Sequence, residues 1–242
     1  TSGILPEYKL VVVDEAHNME GVAENHFGID LSNFTFTYML NGLYNPRSRK
    51  GLLSFAGQDL AVQRVAECRE AVKVFFAQVQ AWHAATRNRS NGRCEKGFVE
   101  DNLSEPLRQL ELTRIARDKQ EDPDEKYEYT RNIEKCRTLE IELKAFLEQD
   151  HEDSVYWVEA GQGYRRRVAL RSAPLDVGPH IRRCLFDPYP SVVTTSATLC
   201  CAGHEHEDEG FSFFTGRVGL ADFDHLLLDS PFDYEKNVTL YL

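Results

Sequence analysis

The sequence predicts an α/β fold interrupted by a large helical insertion, and three observations carry that prediction. Leu10–Val13 is a run of four apolar residues that ends abruptly on Asp14-Glu15-Ala16-His17, the pattern of a parallel strand buried on both faces. Residues 191–195, Ser-Val-Val-Thr-Thr, are β-branched and read as a second buried strand. Between them lie two long stretches without glycine or proline, each with apolar residues three and four apart.

In chain order, the first strand feeds a polar turn. From 58 to about 87, Val65, Cys68, Val72, Phe75, Val79 and Trp82 form one apolar seam and predict a long helix. Asn91-Gly92 breaks it. Ser104 is placed to cap a helix through Leu107, Leu110 and Ile115. Asp122-Pro123-Asp124-Glu125 is a helix start, with Asp at the cap and Pro at the first helical position. The helix that follows carries Cys136, Leu139, Leu143 and Phe146 on one stripe, and the two matching seams predict an antiparallel helical projection. Val155 to Val158 and Arg167 to Leu170 flank Gly161-Gln162-Gly163 and read as a β-hairpin. Residues 175–186 read as a helix, and 226–228 and 238–242 as short strands. The predicted division is 1–30 as the first part of the α/β domain, 31–153 as the helical insertion, and 154–242 as the return to the α/β domain.

The 242 residues carry a formal charge of −11, which argues against a generic nucleic-acid coat. No run reaches the roughly 18 apolar residues that span a bilayer, so a membrane role is not expected and a cytoplasmic protein is. The six cysteines contain no C-x-x-C pair, and Cys200 and Cys201 are adjacent, so reduced, mostly buried thiols are expected. The chain starts on an abrupt strand without a methionine, which suggests a cut chain.

The chemistry points to Asp14 and Glu15. An Asp at the carboxyl end of a buried parallel strand can hold Mg²⁺, usually through water, where the metal bridges the β- and γ-phosphates of a nucleotide. Glu15 can orient and deprotonate the attacking water. His17 lies too far along the turn for that task and is expected to sense the γ-phosphate or a neighbouring motif. A capped strand-to-helix turn is the plain structural reading of the same residues.

These residues resemble a family. Val11-Val12-Val13-Asp14-Glu15-Ala16-His17-Asn18 looks like motif II, the Walker B element, of DEAH-type superfamily 2 helicases, and Thr194-Thr195-Ser196-Ala197-Thr198-Leu199 looks like their motif III. Ser154 to Glu159, Ala173 to Val177 and Ser230 to Tyr234 are similar to the DinG/XPD branch in particular. The resemblance implies a partial RecA-like (P-loop NTPase) sheet interrupted by an arch insertion. It also implies a 5′→3′ ATP-dependent DNA helicase of DNA repair or replication, with Mg-ATP as the nucleotide and single-stranded DNA as the partner. In bacteria it would be nucleoid-associated. Coupling between nucleotide and DNA would fall to His17, Thr195, Ser196 and Thr198. An iron–sulfur cluster is possible upstream of Thr1, and none of the six cysteines here is expected to ligate it.

No G-x-x-x-x-G-K-[ST] phosphate loop occurs in the 242 residues, so the chain is expected to be an internal fragment, inactive alone, without the second helicase domain. Two other readings compete: a non-catalytic arch module that binds DNA or a protein, and a DEAH-type ATPase acting on RNA. Arg165, Arg166 and Arg167 head a basic stretch that offers phosphate contacts to DNA, against the plain reading of a solvated face. Arg47, Arg49 and Lys50, and Arg87, Arg89, Arg93 and Lys96, form two further clusters. His204-Glu205-His206 is a weak metal candidate, and Trp82, Phe75 and Phe76 fit core packing better than base stacking.

Overall fold

A computed structural model describes residues 7–54, 59–111, 123–151, 153–161, 167–201, 207–228 and 234–239, with the backbone alone at 123–126, 129, 207–208 and 234–235. It is mixed α/β, with a small parallel sheet, an antiparallel sheet and many helices. The chain divides into two compact units: unit 1 is Thr1–Glu24 with Asp176–Leu242, and unit 2 is Asn25–Leu175.

Unit 1 is built on β1 (Leu10–Val13) and β5 (Ser191–Thr194), paired in parallel with Leu10 opposite Ser191 and Val13 opposite Thr194. A 3-10 turn over Ala16–Asn18 leads from β1 into α1 (Met19–Phe27), within which the unit boundary falls. α6 (Gly178–Ile181) runs on through a π-turn at Arg182–Phe186, so the helix predicted over 175–186 starts three residues later than expected. Asp176 provides the start, accepting the Gly178 N–H at 2.8 Å. α7 (Glu207–Val218) ends at Gly219, whose φ is +74° and whose missing Cβ would stand 2.3 Å from the Gly178 carbonyl oxygen. Only glycine fits there on both counts. Among the described residues, Ala16, Leu199 and Phe211 form one buried cluster of unit 1, flanked by Val13, Met19, Phe214 and Phe223, and Val177, Ile181 and Val218 are buried as well.

Two expectations are corrected in unit 1. The strands are open rather than buried on both faces, with Leu10 57% and Val12 62% exposed and Val193 exposed as well. Among the described residues the parallel sheet has two strands, and a two-stranded sheet cannot bury both faces of either. Residues 226–228 form no strand, and Leu226 and Leu228 are exposed. The candidate at 238–242 lies largely outside the described residues.

Unit 2 holds β2 (Ile29–Ser32), α2 (Asn33–Leu43), α3 (Asp59–Ser90), α4 (Ser104–Glu111), α5 (Pro123–Glu148), β3 (Ser154–Ala160) and β4 (Val168–Pro174). α3 has 32 residues, about 48 Å at 1.5 Å each. Its predicted seam is the buried one from Val65 to Val79, with Trp82 partly buried against Phe98, and the α5 stripe is buried throughout. The two long helices do not form a simple pair, however. Both pack on α2 and on α4, so four helices and one sheet face share a single core. Ser32 starts α2 with a reciprocal cap: Thr35 N–H donates to Ser32 Oγ at 3.2 Å and Ser32 N–H to Thr35 Oγ1 at 3.4 Å. Ser104 is not the cap of α4. Asp101 Oδ1 accepts the N–H groups of Leu103 and Ser104 at 3.1 and 2.9 Å, while Ser104 itself is buried as the first helical residue. Ile115 lies outside the described residues.

The predicted hairpin is present as β3 and β4, antiparallel from Ser154 opposite Pro174 to Ala160 opposite Val168. It belongs to unit 2. β4 also pairs with β2, giving the order β2-β4-β3, and Tyr156, Val158, Val168 and Leu170 join the helical core. The compact unit therefore spans 25–175, wider than the 31–153 read from the sequence. Ile29 lies opposite Ser172, so the chain enters and leaves unit 2 at neighbouring positions.

Candidate functional site

The site grows from the ends of β1 and β5. The strand ladder continues past both: Thr195 N–H donates to Val13 O at 2.9 Å, and Ala16 N–H returns to Thr195 O at 2.9 Å. Asp14, Glu15 and Thr195 are thereby held side by side, although the sequence separates Asp14 from Thr195 by 181 positions.

Glu15 adopts a left-handed backbone, φ 51° and ψ 43°. This conformation costs a non-glycine residue about 1–2 kcal/mol. It is held by three bonds: Glu15 N–H to Asp14 Oδ1 at 2.9 Å, Asn18 N–H to Glu15 O at 3.0 Å, and the Ala16 bond to Thr195. Ala16 is buried, while Asp14 and Glu15 just before it stay in solvent.

Asp14 Oδ1 also accepts the Thr195 hydroxyl at 2.7 Å. That bond first, and the Glu15 N–H second, hold its carboxyl below the usual carboxylate range. Both donors fall on Oδ1, so Oδ2 stays open among the described residues. An exposed, firmly ionised carboxylate with a free oxygen is a hard-oxygen donor of the kind that Mg²⁺ takes directly or through water.

His17 is drawn to the second segment. Its Nδ1 lies 2.8 Å from Ser196 Oγ and 3.2 Å from Glu15 Oε2. The ring therefore stands between the Glu15 carboxylate and the Ser196 hydroxyl, and its tautomer sets which partner donates to which. Ser196 Oγ further accepts the Thr198 N–H at 3.4 Å, so Thr198 enters through its backbone. The structure thus brings together Asp14, Glu15, His17, Thr195 and Ser196. The left-handed turn at Glu15 had no signal in the sequence, because Glu has no preference for it.

The arginines behave differently. Arg165 and Arg166 lie outside the described residues. Arg167 donates to both Asp30 oxygens at 2.8 and 3.1 Å, and Arg171 to Asp30 Oδ2 at 3.0 Å, so this pair ties β4 to β2. His204-Glu205-His206 also lies outside the described residues. Among the described residues no group of three or more His, Cys, Asp or Glu is placed to hold a metal ion. No helix among them is long and apolar enough to cross a membrane. Cys68, Cys94 and Cys136 are buried, and Cys184, Cys200 and Cys201 are wholly or partly exposed, so burial covers half of the thiols rather than most.

No family model matches the chain. The chain is 33% identical over 110 residues to the 3′-5′ exonuclease DinG of Bacillus subtilis, a match covering 44% of this chain and 11% of that protein. It is 23% identical over 241 residues to the ATP-dependent DNA helicase YoaA of Escherichia coli, covering 98% of this chain and 35% of that protein. The YoaA protein of Haemophilus influenzae matches at the same identity over 34% of its length. These similarities bear out the resemblance to DinG-like helicases read from the motifs. The chain spans about a third of the YoaA proteins and a smaller part of DinG.

Proposed function

We propose that this chain is an internal part of a DinG-like ATP-dependent DNA helicase, carrying its Walker B element at Asp14 and Glu15 and its motif III at Thr195, Ser196 and Thr198. The supporting observation is the direct contact between the two segments, Thr195 to Asp14 and Ser196 to His17, at the carboxyl ends of adjacent parallel strands. In open α/β sheets this is where nucleotides sit. In this reading unit 1 is part of a RecA-like domain and unit 2 is the arch.

Asp14 would hold Mg²⁺ through its open oxygen, directly or by way of water. A bound Mg²⁺ offsets the charge of the β- and γ-phosphates. Glu15 takes the proton of the attacking water at a carboxylate oxygen, and its left-handed turn fixes where that oxygen stands. His17 Nδ1 stands within reach of both the Glu15 carboxylate and the Ser196 hydroxyl. A change in the Glu15 carboxylate therefore alters the Ser196 contact, a physical link from the nucleotide to motif III. The whole protein then moves 5′→3′ along single-stranded DNA in repair or replication, in the cytoplasm. An iron–sulfur cluster would be held by residues other than these six cysteines.

The test is Glu15→Gln in the full-length protein. Nucleotide affinity should remain close to that of the wild type, and ATP hydrolysis should fall by about 10²–10⁴. Hydrolysis at the wild-type rate overturns the role of Glu15. The 242-residue chain alone should not turn over Mg-ATP, and measurable turnover contradicts the fragment reading.

A further inference from the structure

A second site lies wholly within unit 2. α3 ends on Asn91 and Gly92, both left-handed, with φ of 50° and 84°. This reversal lays the following residues along the edge of β3. Val158 N–H donates to Gly92 O at 2.8 Å, Cys94 N–H donates to Tyr156 O at 3.1 Å, and Arg93 is bridged to Trp157. Glycine is required, because a Cβ at 92 would stand 2.6 Å from Val158 O.

The junction leaves an open groove of about 530 Å³ between the end of α3 and the end of β3. His83, Arg87 and Asn91 line one wall, four residues apart and so on one helix face. Trp157 and Glu159, on one face of β3, line the other. The one acid is already engaged: Glu159 accepts the Trp157 indole N–H at 3.1 Å and lies 3.3 Å from Arg171 Nε. Arg87, on the groove wall, and Arg93, beside it, are exposed and make no ion pair among the described residues, as holds for several other arginines. In a chain of net charge −11, uncommitted arginines beside an anchored indole make a local cationic and aromatic site.

We propose that this groove is a subsite for one nucleotide unit of a single-stranded nucleic acid. The Trp157 ring stacks a base, Arg87 meets the adjoining phosphate, and His83 and Asn91 offer hydrogen bonds to the base edge or sugar. Stacking on an aromatic ring combined with a cationic wall is how single strands are held without sequence preference. An acidic peptide would use the arginines and leave the indole idle. The site uses no residue of the Asp14–Thr195 region, so it stands or falls apart from the ATPase reading.

The test is fluorescence anisotropy of a labelled oligothymidylate of about 15 nucleotides against the 242-residue chain at low salt, without ATP. The wild type should bind, Trp157→Ala should weaken binding about tenfold, and Trp157→Phe should retain most of it. Arg87→Gln should lower the slope of log affinity against log salt by about 0.7, the value of one single-strand phosphate. An abasic strand of the same length should bind the wild type as weakly as the thymidylate binds Trp157→Ala, a comparison that needs no variant to fold. No binding by the wild type, equal binding of the abasic strand, or equal competition by polyglutamate would each overturn the proposal.

Discussion

The two units invest their residues in opposite ways. Unit 2, whose helices carry no recognisable motif, has a continuous core in which Phe36, Phe75, Phe146, Leu107 and Leu143 are shielded from solvent. Unit 1 holds both motifs on two open strands above a cluster of Ala16, Leu199 and Phe211. What fixes the site geometry there is polar: strand-end backbone bonds, the Thr195 and Ser196 hydroxyls, and a strained turn. Burial makes a unit stable, whereas a reactive group must stay wet and be positioned by hydrogen bonds instead.

The strongest way to break this contrast is thiol labelling, since the cysteines divide between the units. Burial pushes Cys68 and Cys94 up to about 12 and raises Cys136 as well, which cuts the thiolate of the first two about a thousandfold. Cys184 and Cys201 in unit 1 should alkylate readily in the native chain. The unit 2 thiols should react only in denaturant. Mass-spectrometric mapping of equal labelling in both units would show that unit 2 is not the well-packed body described.

A second contrast is energetic. Phe146 packs against Phe98 and Tyr156, and Phe146→Ala should cost about 3–5 kcal/mol in denaturant unfolding. Leu199→Ala removes a residue from a much smaller cluster and should sit at the low end for leucine, about 2 kcal/mol. Equal costs would mean that unit 1 is packed as firmly as unit 2.

The smallest effect sharpens the polar side. Thr195→Val deletes the main cause of the depressed Asp14 carboxyl and should move its NMR-detected titration upward toward the ordinary range. For a carboxylate depressed by folding, the stabilising contribution is present above the unfolded value and is lost as pH falls through the folded one. The variant should therefore lose some stability at neutral pH and show a weaker fall in acid. An unmoved Asp14 titration would remove Thr195 from the site.

Much of this was legible in the chain. The long helices, the hairpin and both motif strands follow from local pattern, because each pattern fits one element whatever its surroundings. β2 and α2 went unread, since Ile-Asp-Leu-Ser is too short to show a period and its strand character depends on β4. The hairpin was assigned to the wrong neighbourhood for a related reason. Alternating Tyr156 and Val158 announce a buried face, but not which core buries it. A solvated Arg167 balancing an acid was legible, but not that the acid is Asp30, which is 137 residues away.

The sequence alone determined which residues could do chemistry: an acidic pair after an apolar strand, and a hydroxyl-rich end to another. Side-chain type and local period are properties of the chain, and they survive without a fold. Only the tertiary structure decided that Thr195 meets Asp14, that Glu15 turns left-handed, and that Trp157 faces Arg87 across a groove. Those facts come from parallel pairing and packing between distant segments, which no local pattern encodes.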